Sequence, residues 1–254
     1  MMDDTVEKTS ANWKHILLAI VLVALVIGAY WLKTGKPANS RRSSLTEPTQ
    51  ALLERGIRAH NAGASDTALD FYQEVLQREP GNSSAHYNIG QVFNARGQYA
   101  KAQEEYEAAL KSDPNMMDAR INLGLVLYRQ KKFDAAAEEF RKVLQVSPDH
   151  PMALFDLGVA LIEMNQDKEA VQRLRAALRH EPNKPQTYYY LGLALQKQNK
   201  LSESEAALQK AIELDRSVAD AYGILSKVYM AQGKQRLAQE ATAKAIELNL
   251  TLKK

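Results

Sequence analysis

Five histidines, at positions 15, 60, 86, 150 and 180, carry the near-neutral acid–base capacity of this 254-residue chain, and there is no cysteine. The lack of thiols excludes disulfides, thiolate metal sites and a cysteine nucleophile, and leaves the redox compartment open. No histidine stands at metal-ligand spacing from a second histidine or a carboxylate on one helical face. His150 and His180 fall in neighbouring loops and are expected to be solvated rather than a zinc pair. The carboxylates Glu104, Glu105 and Glu107, and Glu138 and Glu139, are expected on a solvated outer helix face. The glycines follow a long-period series instead of a phosphate-cradling loop. Catalysis needs acids, bases or nucleophiles that converge, and this pattern offers none, so the expectation is a protein that is not an enzyme, with no cofactor and no metal.

The elements that hold these residues follow from periodicity. Gly56, Gly90, Gly124, Gly158 and Gly192 recur every 34 residues, with Ser226 next in the series. Ala68, Ala102, Ala136 and Ala170 keep the same step, followed by Ser204 and Ala238. Four residues further on stand Tyr72, Tyr106, Phe140, Leu174, Leu208 and Thr242. Pro80, Pro114, Pro148 and Pro182 close four of the units, since proline has no N–H with which to continue a helix. Six frames result: 49–82, 83–116, 117–150, 151–184, 185–218 and 219–252. Each holds two helices crossing at the small residues, with Gly97 and Gly233, or polar residues such as Asn165-Gln166-Asp167, in the turn between them. One hairpin cannot bury both its faces, so the units must stack. The chain is 45% hydrophobic and 25% charged, an ordinary globular balance. Six of its 33 basic and four of its 30 acidic residues precede residue 49, leaving 27 against 26, so the repeats are almost neutral and offer no nucleic-acid surface.

Before the repeats, residues 1–15 form a short polar tail. Residues 16–32, ILLAIVLVALVIGAYWL, carry no charge and are flanked by Trp13, Lys14, Tyr30, Trp31 and Lys33. Seventeen residues at 1.5 Å each approach the length needed to cross a hydrocarbon core of about 30 Å, and aromatics and snorkelling lysines extend the reach. The segment is apolar all round, unlike a core helix, and bulky residues follow it where a signal peptidase would need small ones. A retained transmembrane helix is the expectation. Residues 33–48, KTGKPANSRRSSLTEP, read as a flexible basic linker.

The glycine, alanine, aromatic and proline series, six times in unbroken register, resembles the tetratricopeptide repeat over about four-fifths of the chain. The resemblance implies an all-α fold: a right-handed α-solenoid of six helix-turn-helix units, here preceded by one transmembrane helix, with residues 49–254 as the repeat domain. It also implies that first helices line a concave groove, with repeat positions 2, 5, 6, 9, 12 and 13 facing a guest. Those positions include Tyr87, Asn88, Gln91 and Asn94 in repeat 2; Ile121, Asn122, Leu125 and Tyr128 in repeat 3; and Phe155, Asp156, Val159 and Ile162 in repeat 4. Repeat 5 contributes Tyr189, Tyr190, Leu193 and Gln196, and repeat 6 Lys227 and Met230. The Lys and Asn clamp with which co-chaperone repeats grip a carboxylate tail is missing: the same places hold Tyr87, Gln91, Ile121, Leu125, Phe155 and Val159. Asn88 and Asn122, with Asp156 as a partial match, are similar to the asparagine ladder of some superhelical repeats. The other reading of these amides is that they bond a neighbouring helix.

The function expected is a non-catalytic scaffold tethered to a membrane. It would bind a helical or extended segment of a client protein in the groove, to assist assembly or quality control of a complex. The alternative is a permanent structural subunit of a membrane complex. Partners are proteins and the membrane, with no nucleic acid. The resemblance to membrane-anchored bacterial repeat proteins implies the bacterial cytoplasmic (inner) membrane. Lys33, Lys36, Arg41 and Arg42 favour a cytoplasmic repeat domain, whereas long domains translocate regardless of charge; the side stays open, with the balance on the extracytoplasmic face. The last hairpin lacks the polar capping helix usual in repeat arrays. It is expected to fray, or to be covered by a partner or a second copy in self-association.

Overall fold

The computed structural model describes residues 47–251, so the tail, the anchor expected at 16–32 and nearly all of the linker lie outside the described residues. The chain divides into two compact units, Met1–Leu52 and Leu53–Lys254. The described residues form twelve helices and no strand: α1 Thr49–Asn61, α2 Ser65–Arg78, α3 Ser83–Ala95, α4 Tyr99–Ser112, α5 Met117–Arg129, α6 Phe133–Val146, α7 Pro151–Glu163, α8 Asp167–His180, α9 Pro185–Lys197, α10 Leu201–Leu214, α11 Ala219–Ala231 and α12 Gln235–Thr251. They pair as six hairpins in an all-α solenoid. None of them is long and apolar enough to cross a membrane.

Local chemistry sets the boundaries. Every hairpin turn places one residue in the left-handed region, again at a 34-residue step: Gly63, Gly97, Lys131, Asn165, Asn199 and Gly233, with φ between +57° and +78°. This geometry lets the following N–H reach back to a carbonyl five residues earlier, as Gln98 does to Phe93 at 2.9 Å, and so closes the first helix. The four prolines stand two residues beyond the ends of α2, α4, α6 and α8. Asn82 caps α3, its Oδ1 accepting the Ala85 N–H at 2.9 Å. His150 caps α7 in the same way through Nδ1, 3.2 Å from the Ala153 nitrogen.

The small residues of the periodic series do more than let backbones approach. A methyl group on Gly90 would lie 2.6 Å from the Tyr106 ring, one on Gly124 2.6 Å from Phe140, and one on Gly158 2.7 Å from Leu174. Each glycine is a socket for the bulky side chain sixteen residues later, fully buried on the second helix of the same hairpin. One cluster runs from Ala102 to Ala207 through α4–α10 and a second from Leu208 to Ala241 through α10–α12. First helices α5, α7, α9 and α11 also touch one another in sequence, so repeats converge on the side where those helices lie. Central α7 is apolar on most of its surface, with Leu154, Leu157, Val159, Ala160, Leu161 and Ile162 all buried.

Candidate protein-binding face

Some of the carboxylates and histidines singled out by sequence have structural work, and His15 lies outside the described residues. Glu105 is not a solvated outer residue: its Oε2 is 2.7 Å from Nδ1 of His86, whose Nε2 is 3.0 Å from the Pro80 carbonyl. One repeat later Arg120 joins Glu139 at 2.9 Å and the Pro114 carbonyl at 2.7 Å, so the same bracket ties first helix, second helix and inter-repeat turn together. Glu104, Glu107 and Glu138 are exposed as expected. His180 lies 3.4 Å from Asp149 while His150 caps α7, so the two histidines serve separate ends of the loop pair. No group of three or more metal-ligating side chains occurs among the described residues.

On the first-helix face the structure gathers two groups. In the first, the Tyr87 hydroxyl accepts from Gln91 Nε2 at 2.8 Å and from Asn122 Nδ2 at 3.2 Å, and its ring packs against Tyr106 with centroids 6.0 Å apart. Burial raises the Tyr87 phenol above its ordinary pKa. Asn88 turns Nδ2 to the Ser84 carbonyl of its own helix at 2.7 Å. Asn122 thus bonds the preceding repeat and Asn88 its own turn. Asn94, on the same helix as Tyr87 and Gln91, is half-buried.

The second group is a pocket of ≈ 200 Å³ across three repeats, lined by Leu125, Tyr128 and Arg129 of α5, Phe140 behind them, Phe155, Asp156 and Val159 of α7, and Tyr190 of α9. Phe155 meets Tyr190 edge to face at 5.6 Å, and Tyr190 meets Tyr189 at 4.9 Å. The Tyr128 hydroxyl is 3.4 Å from Glu163 Oε1, a long contact. Burial pushes the Tyr128 and Tyr189 phenols up to about 12. Asp156 Oδ2 is buried without a hydrogen-bond partner, and burial raises that carboxyl to about 7.

Other residues carried over from the repeat pattern sit differently. Ile121 and Ile162 are buried core side chains, Ile121 packing with Val143 and Ala153, and Val159 is buried as well although it borders the pocket. Leu193 and Gln196 are half-buried, and Lys227 is exposed. Met230 is 63% exposed and belongs to a separate hollow of ≈ 290 Å³ on the last hairpin with Ala238, Thr242 and Ile246. Arg129, Glu163 and Asp220 were not among the expected residues, yet all three act electrostatically on Tyr190. The signal was present: they occupy repeat positions 13, 13 and 2, within the set of positions expected to face a guest.

Models of the tetratricopeptide repeat match residues 53–102, 87–151, 127–194, 185–218 and 219–251, which together span most of the chain. Residues 41 to the end of MamA from Desulfovibrio magneticus RS-1 superpose with a TM-score of 0.63 at 26% identity, covering 67% of this chain and 96% of that one. YrrB, described as a tetratricopeptide protein with an unusual peptide-binding site, gives 0.60 at 21%, over 70% and 91%. The Cut9–Hcn1 hetero-tetramer of APC/C gives 0.64 at 18%, over 79% of this chain and 40% of that one. These last two likenesses concern the fold alone. No curated protein matches by sequence.

Proposed function

Because the chain belongs to the tetratricopeptide-repeat family, we propose that it is a non-catalytic scaffold, held at a membrane by residues 16–32, that binds a helical or extended segment of a client protein along its first-helix face. The observation that carries this reading is the run of half-buried aromatic and amide side chains contributed by α3, α5, α7 and α9 to one face. Such a surface supplies affinity by apolar burial and fixes a backbone through amides. The peptide-binding site of YrrB belongs to that protein and only sets a precedent. Assembly or quality control of a membrane complex is the role that fits a tethered client-binding array, at a bacterial inner membrane with the repeats on the extracytoplasmic side. Reporter fusions at the C-terminus read the side directly: alkaline phosphatase activity supports the outward placement, and a fluorescent protein that folds only inside opposes it.

The client test uses photo-cross-linkers in the full-length chain in mild detergent. A linker at Leu193 or Asn94 should capture a partner, and one at exposed Glu104 should not. Phe155→Ala or Tyr189→Ala should weaken the association by roughly 1–3 kcal/mol, about tenfold or more, with circular dichroism confirming that the helices remain. Capture from Glu104 alone would place the partner surface elsewhere. A second reading, a permanent structural subunit that self-associates or docks through its last hairpin, draws on the exposure of Met230 (63%) and Ile246 (55%). Fixed stoichiometry through purification would favour it over client recruitment.

A further inference from the structure

We infer that the pocket formed by α5, α7 and α9 receives one lysine or arginine side chain of the bound segment, held between the Asp156 carboxylate and the faces of Tyr128, Phe155 and Tyr190. The inference rests on reading the first-helix face as a binding groove and specifies the chemistry of what enters it.

Asp156 is the anomaly that points to the guest. It stands in the most apolar helix of the array, which otherwise carries a charge only at its terminal Glu163. Among the described residues it alone has a carboxylate oxygen that is buried with neither a hydrogen bond nor an ion pair: the orphaned Oδ1 of Asp167 still has the Lys197 ammonium at 3.4 Å. Other partly buried acids have partners, Glu105 with His86, Glu139 with Arg120 and Lys142, and Glu205 with Lys234. Asp156 is half-buried, and its buried Oδ2 is the kind of polar atom that native proteins usually satisfy. Arg129 lines the same pocket but is exposed, makes no ion pair and acts on the Tyr128 and Tyr190 phenols. The charged and titratable groups lining the pocket are Tyr128 and Arg129 from α5, Asp156 from α7 and Tyr190 from α9, while Glu163 of α7 and Asp220 of α11 act on Tyr190 from outside the lining. Asp156 is the one carboxylate in the lining, and Glu163 and Asp220 add negative charge beside its tyrosines.

The aromatic rings add to this preference, because their faces attract a cation within about 6 Å of the ring centroid. At ≈ 200 Å³ the space falls below the roughly 300–1,000 Å³ typical of small-molecule sites, which suits a single side chain. An aliphatic stem against Leu125 and Phe155 with a charged head at Asp156 fills both the apolar and the polar part.

The test titrates the full-length chain with Nα-acetyl-lysine methylamide and Nα-acetyl-arginine methylamide, with Nα-acetyl-norleucine methylamide as the uncharged counterpart and calcium chloride as a bare cation. The readout is the NMR shift of the Tyr128, Phe155 and Tyr190 ring resonances. A cationic amide should saturate these shifts at least tenfold more tightly than norleucine. Burial holds the Asp156 carboxyl at about 7, so the carboxylate forms as pH rises, and affinity should strengthen about tenfold from pH 6 to pH 8. Asp156→Asn should remove both the preference and the pH dependence. Equal binding of norleucine, a pH-independent affinity in the wild type, or unchanged binding by a folded Asp156→Asn chain each overturns the inference. So does calcium that saturates the same shifts and displaces the lysine amide. Because these probes need no client, their failure while first-helix cross-links persist removes only the cation pocket. Their success without such cross-links removes only the groove reading.

Discussion

Hairpin α5–α6 and hairpin α11–α12 occupy the same frame of the repeat and fill the same crossing by different means. In the first, Gly124 opens a socket that the Phe140 ring fills, and the ring continues into a core shared with α7. In the second, Ser226 stands where the glycine was and Thr242 where the ring was. Their hydroxyls lie 2.7 Å apart and each is 2.9 Å from the Ala238 carbonyl, a triangle of which the two hydroxyl protons fill two sides at a time. The Phe140 ring spans the hairpin crossing and also presents apolar surface to the next repeat, a contact the Ser226–Thr242 pair does not make among the described residues. Around Thr242 no further helix covers the hairpin among the described residues, and Met230 and Ile246 remain exposed.

The largest consequence is in core packing. Phe140→Ala should cost about 3–5 kcal/mol, the range for deleting a fully buried aromatic. Thr242→Ala should cost about 1 kcal/mol, the net worth of one hydrogen bond, since Ser226 keeps the Ala238 carbonyl. Stability in a repeat array is local rather than global, so hydrogen exchange read hairpin by hairpin is the measurement. Equal losses at the two sites would show that the hydroxyl triangle matches the aromatic knob, and the comparison would fail.

A smaller effect should change sign between central helix α7 and helix α11 of the last hairpin. Alanine at Gly158 puts its methyl 2.7 Å from Leu174, whose branched carbon is held in the core, so Gly158→Ala should destabilise by about 1–3 kcal/mol. Gly223, in α11, has nothing within 4 Å of the same methyl position. There the substitution only restricts the unfolded chain and improves helix propensity, a gain of about 0.4–1 kcal/mol. Thermal unfolding of the two variants settles it: a loss at both would mean that helix α11 is packed more closely than its open surroundings indicate.

The glycine pair also marks how far sequence carried. The 34-residue series, the hairpin turns and the proline stops were all legible, because each depends on local backbone chemistry that repeats. The socket role of Gly158 was not, since it depends on which side chain arrives sixteen residues later at what depth. The same limit applies to the guest-facing residues. Position within the repeat named Leu125, Tyr128, Phe155, Asp156, Val159 and Tyr190, which the fold brings to one pocket, but it also named Ile121 and Ile162, which packing buries. Glu105 was misread for a related reason: nothing local announces that a histidine nineteen residues away closes onto it.

The smallest effect concerns the turns, where the two regions should agree in magnitude. Lys131 adopts φ +60 in the hairpin turn between α5 and α6, and Gly233 adopts φ +76 in the equivalent turn before α12. A left-handed conformation costs a residue with a β-carbon about 1–2 kcal/mol, and part of that is returned because glycine leaves the unfolded chain freer. Lys131→Gly should therefore stabilise its hairpin by about 0.5–1 kcal/mol, and Gly233→Lys should weaken the last hairpin by a similar amount. Both positions are exposed, so packing does not enter. Exchange rates of amides in α6 and α12 read the two changes separately. If Gly233→Lys loosens α12 far less than Lys131→Gly tightens α6, the last hairpin already opens without its turn. The contrast between the two regions then extends from side-chain packing to the cooperativity of the backbone, and a partner seated on Met230 and Ile246 should restore the missing sensitivity.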